Sequence, residues 1–375
     1  MARLLRTGIA AGAYWNYLAY KGMRISQNLQ VEKMSEPIDF VVSWVDGNDP
    51  DWKTQKRQYQ QASGIQYEPK HNGEERYRDW ELFRYWFRGV EKYAPWVRNV
   101  YLITWGHIPE WLNQNAPKLK VVKHTDYIPS EYLPVFSSIP IELNLHRIEG
   151  LSEYFVYFND DMFLNRPVVP EDFFRGGLIN YPAIADPLRN DDNSAFTHML
   201  FSTLGAINQK FTGKIQDSIK NNPEKWFAEW YSDEAIALNQ EIGKKTYLSG
   251  MYFTHLPCPF RKSTFEKVWN EFPGSMEQSS MHRFRTPQDV FHFIFTLWDI
   301  AEGDFCPVSR DHYGKLFWAP VKQQEEITEA ICSEKYRCIC INDSESISHE
   351  EYLTLKQVLM DAMERALPGK SIFEK

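Results

Sequence analysis

Residues 38–45 read Ile-Asp-Phe-Val-Val-Ser-Trp-Val and run straight into Asp46-Gly47-Asn48-Asp49-Pro50. A nearly unbroken apolar run is what a strand covered on both sheet faces requires. The Asp, Gly, Asn and Pro cluster behind it is a dense turn signal leading into a polar helix. Downstream, Leu82, Phe83, Trp86, Phe87 and Val90 recur at helical spacing, and that helix stops before Pro95. Further strands are predicted at 99–105, 119–123 and 154–159, with a helix at about 139–151 before the last of these. Strands that alternate with helices, too far apart for hairpins, imply right-handed parallel crossovers. The expected fold class is therefore α/β, a doubly wound, mostly parallel sheet. Ligands bind such sheets beyond the carboxyl ends of the strands. Two of those ends are acidic here: Asp46 and Asp49 in one case, Asn159-Asp160-Asp161 in the other.

The rest of the chain fits one large α/β domain. Its 375 residues are 43% apolar and 25% charged, which excludes wholesale disorder. The net charge of −8 argues against a general nucleic-acid binder. Residues 1–36 form a basic segment around an apolar stretch. It reads as an N-terminal helix docked on the domain, as an amphipathic segment on an anionic membrane surface, or, less well, as a signal peptide. No apolar run reaches the roughly 20 residues that a membrane span needs. Five cysteines without a CxxC pair favour a reduced, intracellular setting. Cys338 and Cys340 alternate on a late strand, 338–341, and are expected to pack rather than to ligate. Residues 37–368 are expected to form the catalytic domain, with a helical insertion at about 176–245. Two capping patterns, Ser263/Glu266 and Thr286-Pro287/Asp289, are expected to open helices.

Three constellations carry chemistry. Asp160 and Asp161 follow an apolar strand and suit a hard divalent cation such as Mg²⁺ or Mn²⁺, with a solvated turn as the alternative. Trp44-Val45-Asp46-Gly47-Asn48-Asp49 suits a nucleotide contact, and equally an Asx turn. His255, in Thr254-His255-Leu256-Pro257, has the chemistry of a general base or of a satisfied structural histidine. Arg285 precedes the expected cap at Thr286, where a helix end and a guanidinium would both favour phosphate. Asp289 is read as a structural cap.

Read together and in order, IDFVVSWVDGNDP, RYRDWELFRYWFRGVEKYAPWVRNVYLITWGHIPEWLN, HRIEGLSEYFVYFNDDMF, THLP with HRFRTPQD, and CICIND resemble the sequence blocks of the stealth family. That family contains bacterial capsular-polysaccharide phosphotransferases and the catalytic part of the animal N-acetylglucosamine-1-phosphotransferase. The resemblance implies a fold like that of nucleotide-sugar transferases. It also implies transfer of a sugar 1-phosphate from a UDP-sugar to an acceptor saccharide hydroxyl, with release of UMP. By resemblance, His255 and Arg285 are catalytic, Asp160 and Asp161 form the acidic metal block, and Asn342 with Asp343 form the terminal substrate block. His146 and Arg147 match a further block and are expected to support the phosphates. The residue at Asp46 departs from animal members, which tend to have Asn there. The absence of a membrane span looks like the bacterial, cytoplasmic branch, at the inner face of the membrane if the N-terminal segment binds lipid. The rival readings are a metal-dependent glycosyltransferase that releases UDP and a non-catalytic glycan-binding module.

Overall fold

The computed structural model describes residues 33–63, 78–190, 194–318, 320–343 and 347–375. The basic N-terminal segment up to residue 32, and residues 64–77, lie outside the described residues. The strands are β1 (Ile38–Ser43), β2 (Val100–Thr104), β3 (Leu119–Lys123), β4 (Tyr154–Asn159), β5 (Met162–Leu164), β6 (Phe174–Arg175), β7 (Leu178–Tyr181), β8 (Cys258–Arg261), β9 (Phe305–Pro307), β10 (Gly314–Phe317) and β11 (Cys338–Ile341). The helices of six or more residues are α1 (Pro50–Ser63), α2 (Phe83–Tyr93), α3 (Ser138–Leu143), α4 (Ala195–Phe211), α5 (Ile215–Asn221), α6 (Asp233–Gly243), α7 (Lys262–Glu271), α8 (Pro273–Met281), α9 (Phe293–Glu302), α10 (Gln324–Ser333) and α11 (His349–Ala366).

The main sheet has the order β3-β2-β1-β4-β8. It is parallel from β3 to β4, and β8 joins antiparallel at the edge. Val41 and Val42 are fully buried, as the apolar run demands. Helices cover both faces. Phe158 meets Trp86 of α2 at 5.4 Å on one side, and Phe155 meets Phe265 of α7 at 5.6 Å on the other. The sheet is therefore doubly wound and mostly parallel. Its strand order reverses between β1 and β4, and Ser43 pairs in register with Asn159. That reversal is the switch point at which open α/β sheets hold ligands.

Two smaller sheets extend the core, β10-β11-β5 and β6-β7-β9. Residues of the 176–245 stretch contribute β7 to the second of these and bury Ile207, Phe211, Ile215 and Trp226 in the same apolar core as β1 and β4. Phe196 of α4 touches Phe253 at 5.5 Å, so this stretch reaches the loop that carries His255. Among the described residues no helix is long and apolar enough to cross a membrane.

Three expected helices differ in the structure, each for a visible reason. The helix expected over 139–151 ends at Leu143. Asn144 Nδ2 donates to the Pro140 carbonyl, the acceptor its own backbone N–H would have used, and the chain continues as a 3₁₀ turn. Ser263 does not cap a helix: α7 starts at Lys262, and the Glu153 carboxylate accepts from the Ser263 N–H at 3.2 Å and from its hydroxyl. The helix expected to open at Thr286 begins only at Phe293. The Thr286 N–H does donate to Asp289, but the next free donors are diverted. Val290 N donates to Ser279 Oγ and Phe291 N to Thr203 Oγ1, so α8 and α4 hold open a segment that would otherwise wind up.

Candidate active site at the switch point

The turn after β4 places Asn159, Asp160 and Asp161 at the switch point. Three further segments converge on it. β11 runs antiparallel to β5 with Cys340 opposite Met162, and the Ile341 N–H donates to the Asp161 carbonyl at 3.0 Å. Asn342 and Asp343 therefore follow directly beside Asp161. The loop after Met251 brings His255 Nε2 to 3.5 Å from Asp161 Oδ2. From the segment before α2, Arg78 Nε lies 3.4 Å from Asp343 Oδ2, and Trp80 Nε1 donates to the same oxygen at 3.1 Å.

The electrostatics of this cluster suit a bound cation. Asp160 reaches solvent. Even so, surrounding protein and the Asp161 and Asp79 carboxylates push its own carboxyl up to about 7. Asp161 Oδ1 and Asn159 Oδ1 are buried oxygens without a hydrogen-bond partner. Leaving such acceptors unsatisfied is costly, and a bound cation removes both that cost and the carboxylate repulsion. The set of oxygens thus fits a divalent ion: Asp160 and Asp161 would hold it, with Asn159 alongside.

The first block lies at the neighbouring strand end, in an Asx turn. Asp46 Oδ1 accepts from the Asn48 N–H at 2.8 Å, and the Asp46 N–H donates to His107 Nε2 at 2.7 Å. Asp49 Oδ1 caps α1 by accepting from the Trp52 N–H at 2.7 Å. Trp44 stacks on Phe83 at 5.7 Å. Val45 packs against the cluster of Trp52, Phe136 and Phe284, while Gly47 is buried and Asn48 exposed. These contacts match the Asx-turn alternative for this block.

Arg285 reaches the same edge of the sheet by another route. Phe284 stacks on Phe136 at 5.4 Å, and Phe136 in turn meets Trp52, at the start of α1. Arg285 donates to Ser138 Oγ at 3.4 Å, and its charge helps to lower the pKa of buried Glu142. It does not stand at the N-terminus expected, because no helix opens at Thr286; its partner Ser138 is instead the first residue of α3. Asp289 is the structural hub expected, accepting from the Thr286 N–H and facing His282 Nδ1 at 2.6 Å. His146 and Arg147 sit apart from this pocket, against α7: His146 lies 5.7 Å from the Phe265 and Trp269 rings, and Arg147 stacks on Trp269 at 4.6 Å. Burial and the adjacent Arg147 drive His146 down to about 3, so it is neutral at ordinary pH.

Sequence reasoning gave no part in the site to Arg78, Asp79 or Cys340, all of which lie beside it. Arg78 and Asp79 stand in the RYRDW block, where a charged cluster outside the helical period was the available signal. Cys338 and Cys340 are both fully buried in the core, as expected, and Cys340 Sγ in addition lies within 4.8 Å of ligand atoms of both Asp161 and His255. Strand alternation alone gave no hint of that.

A doubly wound sheet with carboxylates and an imidazole gathered at its switch point defines an α/β protein of the class that holds ligands there. Residues 36–64, 76–180 and 254–296 match the family models described as Stealth protein CR1, CR2 and CR3, conserved regions 1 to 3. The chain belongs to the stealth family. It is 40% identical over 353 residues to the receptor polysaccharide phosphotransferase WefC of Streptococcus gordonii, covering 91% of this chain and 100% of that one. It is 40% identical to the capsular polysaccharide phosphotransferase WcwK of Streptococcus pneumoniae, covering 91% and 100%, and 38% identical to the exopolysaccharide phosphotransferase cps2G of Lactiplantibacillus plantarum, covering 90% and 96%. Among solved structures, the bifunctional glycosyltransferase WbbM in its apo form aligns at a TM-score of 0.34 and 12% identity, covering 88% of this chain and 52% of that one. Apo mouse xyloside xylosyltransferase 1 aligns at 0.35 and 8%, covering 83% and 100%. At these scores the likeness carries no argument.

Proposed function

We propose that this chain is a phosphotransferase of capsular or cell-surface polysaccharide synthesis that moves a sugar 1-phosphate from a UDP-sugar to a saccharide hydroxyl. Two supports carry the reading: family membership alongside named polysaccharide phosphotransferases, and the 3.5 Å approach of His255 to Asp161 at the switch point. His255 Nε2 takes the proton of the acceptor hydroxyl as its oxygen bonds to the β-phosphorus. The bond from that phosphorus to the bridging oxygen breaks, and UMP departs with the oxygen. Asp161, 3.5 Å from Nε2, holds the imidazole in place. Arg285 supplies charge to the phosphoryl oxygens from the α3 side of the cleft. A divalent ion held by Asp160 and Asp161 supplies charge neutralisation for the diphosphate when bound. By family resemblance the first block, although folded as an Asx turn, faces the donor nucleotide from the neighbouring strand end, and Asn342 with Asp343 border the diphosphate. The protein works in the cytoplasm, where UDP-sugars are made.

The released nucleotide decides between this reading and ordinary glycosyl transfer. Incubation with a panel of UDP-sugars, Mg²⁺ and a capsule-type oligosaccharide is expected to yield UMP and a phosphodiester-linked product by mass. UDP as product would overturn phosphotransfer. His255→Ala and Arg285→Ala are each expected to lower turnover about a hundredfold or more, with the circular dichroism spectrum unchanged. Turnover near the wild-type rate in either variant would remove that residue from the mechanism.

A further inference from the structure

Beyond the sugar-phosphate chemistry, we infer that Asp161, His255 and Cys340 form a second, soft-metal site that takes Zn²⁺ or Co²⁺ and switches the enzyme off. The ligand atoms of these three side chains all lie within 4.8 Å of one another. The approach of 3.5 Å between His255 Nε2 and Asp161 Oδ2 is close to the spacing of about 3.3 Å that two ligands have across a tetrahedral zinc ion. Carboxylate, imidazole and thiol form a mixed oxygen, nitrogen and sulfur set. Magnesium shuns sulfur, whereas zinc and cobalt accept all three donors and leave the fourth position open. Asp161 Oδ1 is buried without a hydrogen-bond partner, so the soft ion competes with the divalent ion for the same carboxylate.

The backbone holds this set ready. The Ile341 N–H donates to the Asp161 carbonyl at 3.0 Å, which locks the residue after Cys340 to the turn that carries Asp161. Cys340 forms the buried floor, while the side chains of His255 and Asp161 are 22% and 25% exposed, so an ion enters from that side. Binding releases the thiol proton to solvent and forms bonds from the metal to sulfur, Nε2 and a carboxylate oxygen. It also occupies the lone pair that His255 needs as a base and the carboxylate that the catalytic ion shares. Soft-metal binding and turnover therefore exclude each other.

The test uses metal-stripped full-length protein in a Cys332→Ser background, which removes the one exposed thiol among the described residues. One equivalent of Co²⁺ is expected to produce a thiolate-to-cobalt charge-transfer band. Zn²⁺ is expected to remove that band and to inhibit Mg²⁺-supported turnover. In Cys340→Ala the band should vanish and Zn²⁺ affinity should fall at least about tenfold, with the inhibitory Zn²⁺ concentration rising by the same factor. A band that persists in Cys340→Ala, or unchanged Zn²⁺ affinity, overturns the proposal. If Cys340→Ala does not fold, His255→Gln, at a partly exposed position, should weaken Zn²⁺ binding at least about tenfold, and unchanged affinity there overturns it as well. The binding readout needs no turnover, so its failure is distinct from a failure of the phosphotransfer reading.

Discussion

Glu142 and His292 form a buried ion pair, Oε2 to Nδ1 2.7 Å, that ties α3 to the start of α9. The Tyr157 hydroxyl donates to Glu142 Oε1 at 3.3 Å and meets Ser43 Oγ at 2.7 Å, so the pair also braces β4 and β1 just below the pocket. Burial alone would drive the proton off His292, but the facing Glu142 carboxylate, aided by Cys258, holds its pKa up at about 10. Burial likewise opposes charge on Glu142, yet His292 and Arg285 hold it below the usual carboxylate range. His292 is raised, so its contribution is complete below its ordinary 6.5 and is lost as pH rises toward 10. Glu142 is lowered, so its contribution is present above its ordinary 4.5 and is lost in acid. The gap in melting temperature between wild type and Glu142→Gln should therefore be widest between pH 4.5 and 6.5 and shrink toward pH 10. A gap that stays constant or widens in alkali would show that the pair is not charged.

At the scale of elements, β11 decides where Asn342, Asp343 and Cys340 lie, and β10 decides where β11 lies. Gly314 opens β10 opposite Cys338, at a φ of +136°. A Cβ there would sit 1.8 Å from the Cys338 carbonyl oxygen, a backbone atom that cannot swing away. Gly314→Ala combines that clash with a conformation L side chains rarely adopt, and should cost more than about 3 kcal/mol. Urea unfolding measures it, and an unchanged midpoint would contradict the close approach. The same scale shows what local patterns miss. β3, β4 and β11 occupy the residues expected, because alternation and apolar runs are local properties of strands. The cap at Thr286 carried a correct local signal, the bond to Asp289, but the helix was overruled by Ser279 and Thr203 from elsewhere in the chain.

Across the whole molecule, a buried guanidinium is central to how the C-terminal tail is fastened to α2. Arg88 donates from Nε and Nη2 to the two Glu374 oxygens at 2.8 and 2.9 Å, and from Nη1 to Glu364 at 2.7 Å and to the Leu367 carbonyl at 3.0 Å. The tail then returns to the loop after β2, where the Asn113 N–H donates to the Phe373 carbonyl and the Lys375 N–H to the Trp111 carbonyl. Removing one partner of a buried pair strands the other charge, at a cost of about 3–5 kcal/mol. Arg88→Ala should lower thermal stability by that amount and make the tail an early site of proteolysis, while Arg88→Lys should rescue it only in part. A thermal midpoint equal to wild type would show that the tail's backbone hydrogen bonds and apolar contacts hold it without the guanidinium.

The sequence by itself determined the local states: an apolar run that can only be a covered strand, acidic turns at two strand ends, and a set of motifs that place the chain in its family. Local signals suffice there because period, turn chemistry and capping act over a few residues. The tertiary structure decided which ends meet. Ser43 and Tyr157 are 114 positions apart, and Trp80 and Asp343 are 263 apart. Their approach depends on strand order and on the packing of both faces of the sheet, a cooperative outcome that no window of sequence contains. That packing brought His255, Asp343 and Cys340 to Asp161, sent His146 and Arg147 to α7 instead, and left Arg285 on Ser138 at the start of α3.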